Sequence, residues 1–100
     1  MRGATKRAEK AGAGAVATAA GKDAKDVRQA LKAGKSLAQF GADNGLSRDQ
    51  VKSAYRSAVE AQLDKLVAEG KLTADRKARV LDRLDKNLDK IVDYTHQKKQ

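Results

Sequence analysis

The sequence predicts an all-α protein, and three observations predict it. The chain has no proline, so nothing in it forbids a helix at any position. Ala, Lys, Leu, Asp and Arg are abundant, and these residues favour helix or tolerate it on exposed faces. No stretch alternates β-branched with polar residues, which is the pattern a half-buried strand requires. The expected architecture is a small helical domain, with a helix-turn-helix-like unit followed by a long antiparallel helical hairpin. One hundred residues suit one such domain.

Each element has its own punctuation. Residues 1–21 are rich in Ala and broken by Gly3, Gly12, Gly14 and Gly21, and they read as a basic Ala/Gly-rich arm with a helical tendency around 13–20. Asp23 is placed to cap a helix over 24–33, whose apolar face is Val27, Ala30 and Leu31; Gly34 ends it. Ser36 and Gln39 have capping-box spacing and open a short helix over 37–43 that buries Leu37, Ala38 and Phe40. Asn44-Gly45 is a turn signal. Ser47 and Gln50 repeat the box ahead of a long helix, 48–69, with Val51, Tyr55, Val59, Leu63, Leu66 and Val67 on one side. Gly70-Lys71-Leu72-Thr73 is short enough to fold the next helix back antiparallel, with Thr73 as its cap. In that last helix, 74–94, Leu81, Leu84, Leu88 and Ile91 fall at spacings of three and four, flanked by Val80 and Val92. Such a seam pairs helices, within one chain or between two copies. Residues 22–95 form the helical domain on this reading, and 96–100 a polar tail.

Large apolar residues are scarce: one Phe, two Tyr and no Trp, with much of the 40% hydrophobic content being alanine. A core of this size stabilises a domain by only a few kcal/mol net, so regular packing or a partner must complete the burial. Homo-oligomerisation through Leu81, Leu84, Leu88 and Ile91 is one expected route. There is no cysteine, which excludes disulfides and thiolate metal sites.

Charge points to a class of partner. The net charge is +9. Residues 1–35 hold nine Lys/Arg against three Asp/Glu, residues 36–70 four against five, and residues 71–100 nine against five. Both ends are basic and the middle is balanced. A surplus of this size favours a polyanion: nucleic acid, anionic lipid or an acidic cell-wall polymer. Membrane-surface binding needs a rich apolar stripe beside the basic one, and the alanines of residues 11–20 do not supply it. No run has transmembrane length. Arg2, Lys6, Arg7 and Lys10 ahead of the Ala-rich run mimic a leader, but only Val16 within that run has the bulk an export signal uses. A cytoplasmic protein is expected, with an exported one as the alternative if the N-terminus replaces a leader.

Catalysis finds no constellation of residues to use. His96 is the only histidine and sits beside Gln97 and Lys98 in the polar tail. Asp75, Asp82, Asp85, Asp89 and Asp93 have Arg79, Lys86 and Lys90 as neighbours at helical spacing, and read as a solvated, charge-laced face. The glycines match neither the Walker nor the dinucleotide spacing. No catalytic residue, metal site or cofactor is expected.

Residues 36–61 carry the one recognition pattern. Helix, Gly-containing turn and helix follow one another, with Gly41 four residues before Gly45 and Leu46 after the turn. The spacing resembles a DNA-binding helix-turn-helix, in which a small residue lets the helices cross closely. Asn44 departs from that pattern at a place usually apolar, and the second helix is longer than a recognition helix needs. Arg48, Lys52 and Arg56 lie at i, i+4 and i+8, one basic stripe, with Gln50 and Ser53 beside it. Arg48, Gln50 and Ser53 are the candidates for base edges, Lys52 and Arg56 for the backbone, and Lys6, Arg7 and Lys10 for an auxiliary arm.

Two phrases, residues 30–47 (ALKAGKSLAQFGADNGLS) and 61–89 (AQLDKLVAEGKLTADRKARVLDRLDKNLD), resemble small helical repeat modules of actinobacterial and Firmicutes proteins. The resemblance spans residues 24–92 and rests on the GKSLA opening, the G-L-S turn and the LDxxVAxGKLT hairpin. It implies a helical module, many of whose relatives are exported and functionally undefined, and it brings no catalytic residues. The leading expectation is a nucleic-acid-binding protein using the stripe that begins at Ser47. The alternative is a structural or protein-interaction module of an assembly or cell envelope.

Overall fold

The computed structural model describes residues 2–95, with side chains from Lys10 onward. Five helices follow one another: α1 (Arg2–Ala19), α2 (Ala24–Lys32), α3 (Leu37–Asp43), α4 (Arg48–Ala68) and α5 (Ala74–Asp93). The starts are set by side-chain caps. Ser36 Oγ accepts the Gln39 N–H at 3.1 Å while Gln39 Oε1 accepts the Ser36 N–H at 2.8 Å. Ser47 and Gln50 repeat this box at 3.1 and 2.7 Å. Thr73 Oγ1 accepts the Arg76 N–H at 3.1 Å. Each reciprocal box satisfies two backbone donors that a helix start otherwise leaves without partners.

The helix ends are set by glycines. Gly45 and Gly70 have φ of 85° and 75°, a backbone that side chains with a Cβ rarely adopt. At each, the residue after the glycine donates back into the helix: the Leu46 N–H to Gly41 O at 2.8 Å, the Lys71 N–H to Leu66 O at 2.9 Å. These closures end α3 and α4 sharply. The second of them sends α5 back along α4, the hairpin expected from the short connection.

Helix α4 is central. It packs on α1, on α5 and on α3, while α2 packs on α1 and α3. Val51, Tyr55, Val59, Leu63 and Leu66 of α4 are buried, with Val27 of α2, Leu37 and Phe40 of α3, Leu72 of the turn, and Leu84, Leu88 and Val92 of α5. The α3–α4 crossing is as close as the sequence suggested: a Cβ added at Gly41 would overlap the Val51 side chain.

Two expectations change here. Residues 2–19 are not a loose arm but the helix α1, whose Val16 and Ala17 are 0% and 1% exposed in the common core. Alanine and glycine gave no apolar stripe to read, yet their small size is what lets α1 lie close to α4. A Cβ added at Gly12 would come within 2.7 Å of the Tyr55 ring. The second change concerns the leucine seam. Leu84 and Leu88 are each only 8% exposed, buried within one chain, with Leu81 and Ile91 packed against the same core. Two of its four residues are therefore taken up inside the chain, and the part of the seam that keeps some open surface is Leu81 and Ile91.

Candidate nucleic-acid interface

The Ser47 cap starts α4 so that Arg48, Lys52 and Arg56 fall one above another, a turn apart. The antiparallel return of α5 then presents Asp93, Asp89 and Asp85 at the same interval. Arg48 reaches both Asp93 and Asp89, the latter at 3.2 Å. Lys52 Nζ lies 2.6 Å from Asp89. Arg56 grips Asp85 with two donors, Nε at 2.7 Å and Nη2 at 3.3 Å, and reaches Glu60 with Nη1 at 3.0 Å. Every four residues forward on α4 are met by four backward on α5. The same register continues to Lys77 and Asp64, with the charges exchanged between helices.

This ladder has an electrostatic signature. Hydrogen bonds from Arg56 hold the Asp85 carboxyl below the usual carboxylate range. Hydrogen bonds from Lys52, then Arg48, do the same for Asp89. The Arg48 and Arg56 guanidiniums are shifted upward, chiefly by hydrogen bonds to Asp93 and Asp85 respectively.

The expected recognition stripe is therefore internally engaged. Arg48, Lys52 and Arg56 are paired with the acids of α5, because the hairpin brings those acids across, while each side chain keeps part of its surface open to solvent. Gln50 is exposed, but its Oε1 is taken by the Ser47 N–H at 2.7 Å. Ser53 is exposed on α4 and Lys10 on α1. The side chains of Lys6 and Arg7, like His96, lie outside the described residues. The acids of α5 are likewise corrected. Asp85, Asp89 and Asp93 point across to α4, and only Asp82 pairs along its own helix, with Lys86 at 3.1 Å.

Other cations remain without an ion partner among the described residues. On α2 and the turn before it these are Lys22, Lys25, Arg28 and Lys32, all exposed. Lys25, Arg28 and Lys32 are spaced i, i+3, i+7, a single face, with Val27 buried on the opposite side. On α5 they are Arg76, Arg79, Arg83 and Lys90, again exposed and again on one face, turned away from buried Leu84, Leu88 and Val92. Helix α5 thus has three sides: apolar toward the core, acidic toward the α4 stripe, basic toward solvent. Sequence reading took Arg79 and Lys90 as neighbours of the α5 acids and passed over the cations of α2. The available signal was the count of acids: those in reach of α4 are equidistant from the Gly70–Thr73 turn, which leaves the remaining cations uncompensated.

Among the described residues, no group of three or more His, Cys, Asp or Glu is arranged to hold a metal ion, and no helix is long and apolar enough to cross a membrane. Compared with family models, curated proteins and solved structures, the chain matches none.

Proposed function

We propose that this is a non-catalytic, cytoplasmic nucleic-acid-binding protein that grips the phosphate backbone through the basic faces of α2 and α5, not through the α4 stripe. The observation that carries the reading is that eight of the ten exposed cations without an ion partner among the described residues fall in two groups, four around α2 and four on α5, with Lys10 and Lys65 as the other two. Free positive charge releases counterions on meeting a phosphate chain, whereas charge already neutralised by Asp85, Asp89 and Asp93 does not. Four of the eight are arginine rather than lysine: Arg28, Arg76, Arg79 and Arg83 offer planar forks suited to phosphate oxygens. Neither face has a large apolar side chain open to solvent; Tyr94, beyond the end of α5, is the one exposed large hydrophobic among the described residues. A water-borne polyanion fits such faces better than a bilayer does.

The test is binding to a duplex DNA at two salt concentrations. A face making four phosphate contacts should lose affinity on the order of a hundredfold between 50 and 200 mM salt. Affinity that is absent at low salt, or that does not respond to salt, removes this reading.

A further inference from the structure

We infer that Tyr94 stacks on an unpaired base of a strand whose phosphates lie along the basic face of α5, so that the ligand of this face is a single-stranded nucleic acid. The inference rests on the phosphate-gripping reading above and adds to it the class of strand and the residue that selects it. Of the one Phe and two Tyr in the chain, Phe40 and Tyr55 are 5% and 4% exposed in the core, whereas Tyr94 is 59% exposed. Its place follows from α5 itself. Arg76, Arg79, Arg83, Lys90 and Tyr94 succeed one another at spacings of three, four, seven and four, which keeps them on one side of a helix. Tyr94 is the C-cap, but its φ of −64° is still helical and its N–H donates to Ile91 O. Its Cβ therefore leaves the backbone as the next residue of α5 would, and only its ψ of 133° turns the following chain away.

A basic stripe ending in an exposed ring has a chemical reading. Cations hold the phosphates of a paired or an unpaired strand alike, because phosphate contacts sense charge and not pairing. A ring adds affinity only where the face of a base is open to it. In a duplex those faces are covered by neighbouring bases, and exposing one must overcome both stacking and pairing. In a single strand they are free to turn toward the protein. The four cations span roughly 21 Å of helix, and Tyr94 stands about 6 Å further along the axis than Lys90. A phosphate held by Lys90 thus brings its own nucleoside beside the ring. Asp85, Asp89 and Asp93 are engaged with α4 and leave the stripe open. Lys98 and Lys99 follow Tyr94, so the ring is flanked in the sequence by cations on both sides.

The experiment uses the full chain at low salt and an oligonucleotide of A and C alone, which does not pair with itself. Binding is measured by fluorescence anisotropy to this strand, as DNA and as RNA, and to the duplex it forms with its complement. The sugar that binds more tightly names the strand. On that strand Tyr94→Ala should raise Kd by about five- to a hundredfold, the worth of one stacked base. Tyr94→Phe keeps the ring and should bind like wild type. On the duplex both variants should match wild type. Tyr94 lies outside the core, so circular dichroism should show the same helix content in all three proteins. With no Trp in the chain, tyrosine emission gives a second readout: the single strand should quench it in wild type and not in Tyr94→Phe, which retains only Tyr55. Equal losses on strand and duplex in Tyr94→Ala overturn the inference, and so does a loss in Tyr94→Phe as large as in Tyr94→Ala. Salt-dependent binding that is indifferent to Tyr94 on every ligand overturns it too, while leaving the phosphate-gripping reading intact. No binding to strand or duplex removes both.

Discussion

Two glycines in α1, two residues apart, should respond oppositely to the same substitution. Both lie within the helix Arg2–Ala19, where replacing glycine with alanine is worth about 0.5–1 kcal/mol from backbone entropy alone. At Gly14 nothing lies within 4 Å of an added Cβ, so Gly14→Ala collects that gain in full. At Gly12 the added carbon would stand 2.7 Å from both Cδ2 and Cε2 of Tyr55 and 2.9 Å from Cζ. Carbon pairs prefer about 3.5–4.0 Å, so the overlap approaches 1 Å. The ring cannot swing aside freely, because Tyr55 is buried at 4% exposure. Overpacking of this kind costs about 1–3 kcal/mol, which exceeds the helix gain and leaves Gly12→Ala destabilised by up to about 2 kcal/mol. For a domain of this size each kcal/mol moves the thermal midpoint by about 4–8 °C. Thermal and urea unfolding followed by circular dichroism should therefore show Gly14→Ala melting a few degrees above wild type and Gly12→Ala below it. In a Tyr55→Leu background the cost at Gly12 should shrink, a coupling of the kind adjacent residues show. Were both glycine variants to rise together, Tyr55 would not be pressing on α1, and residues 2–19 would be the unpacked arm after all.

Three further outcomes follow from the core and the ladder. Because Asp85 and Asp89 have folded-state pKa values below the ordinary carboxylate range, their ion pairs stabilise the fold at neutral pH and lose that contribution as pH falls through the acid range. The thermal midpoint should drop on acidification below about pH 5, and an Asp85→Asn, Asp89→Asn variant should show a flatter acid limb with a lower midpoint at pH 7. Replacing Arg48, Lys52 and Arg56 together with Gln should lower the midpoint while leaving DNA affinity nearly unchanged in a salt-titrated shift assay; a large affinity loss at wild-type stability would restore α4 as the contact surface. Leu63, 2% exposed on α4, should cost about 2–5 kcal/mol when cut to Ala, measured from urea midpoints, and a cost under 1 would mean the centre of α4 is not the core.

The helices from α2 to α5 were readable because their boundaries are written in short-range chemistry. Asp23, Ser36, Ser47 and Thr73 act within three residues of themselves, and Gly45 and Gly70 act on the turn beside them. Most of the core was readable for a similar reason, as Val51, Tyr55, Val59, Leu63 and Leu66 declare a helical side at once. Helix α1 was not, since burial of Ala17 or Gly12 depends on the partner's shape and leaves no hydrophobic pattern. The stripe shows the other limit. Arg48, Lys52 and Arg56 were correctly placed on one side of α4, but whether that side is open depends on α5 and on register across the turn. Local spacing located the charges; only the pairing of the two helices decided which of them are free.

The small side chains of α1 have a thermodynamic side as well. Alanine and glycine have no rotamers to lose, so docking Gly12, Ala13 and Ala17 orders the backbone while freezing almost no side-chain motion. The same residues bring little apolar area out of water, and Val16 supplies most of what the described part of α1 contributes. Helix α1 thus packs closely on α4 but with little apolar area of its own, whereas the leucines and Tyr55 of α4 hold from two sides. Amide hydrogens in α1 should exchange through local opening well before those around Leu63, so that the oldest deuterium-resistant protons mark the middle of α4.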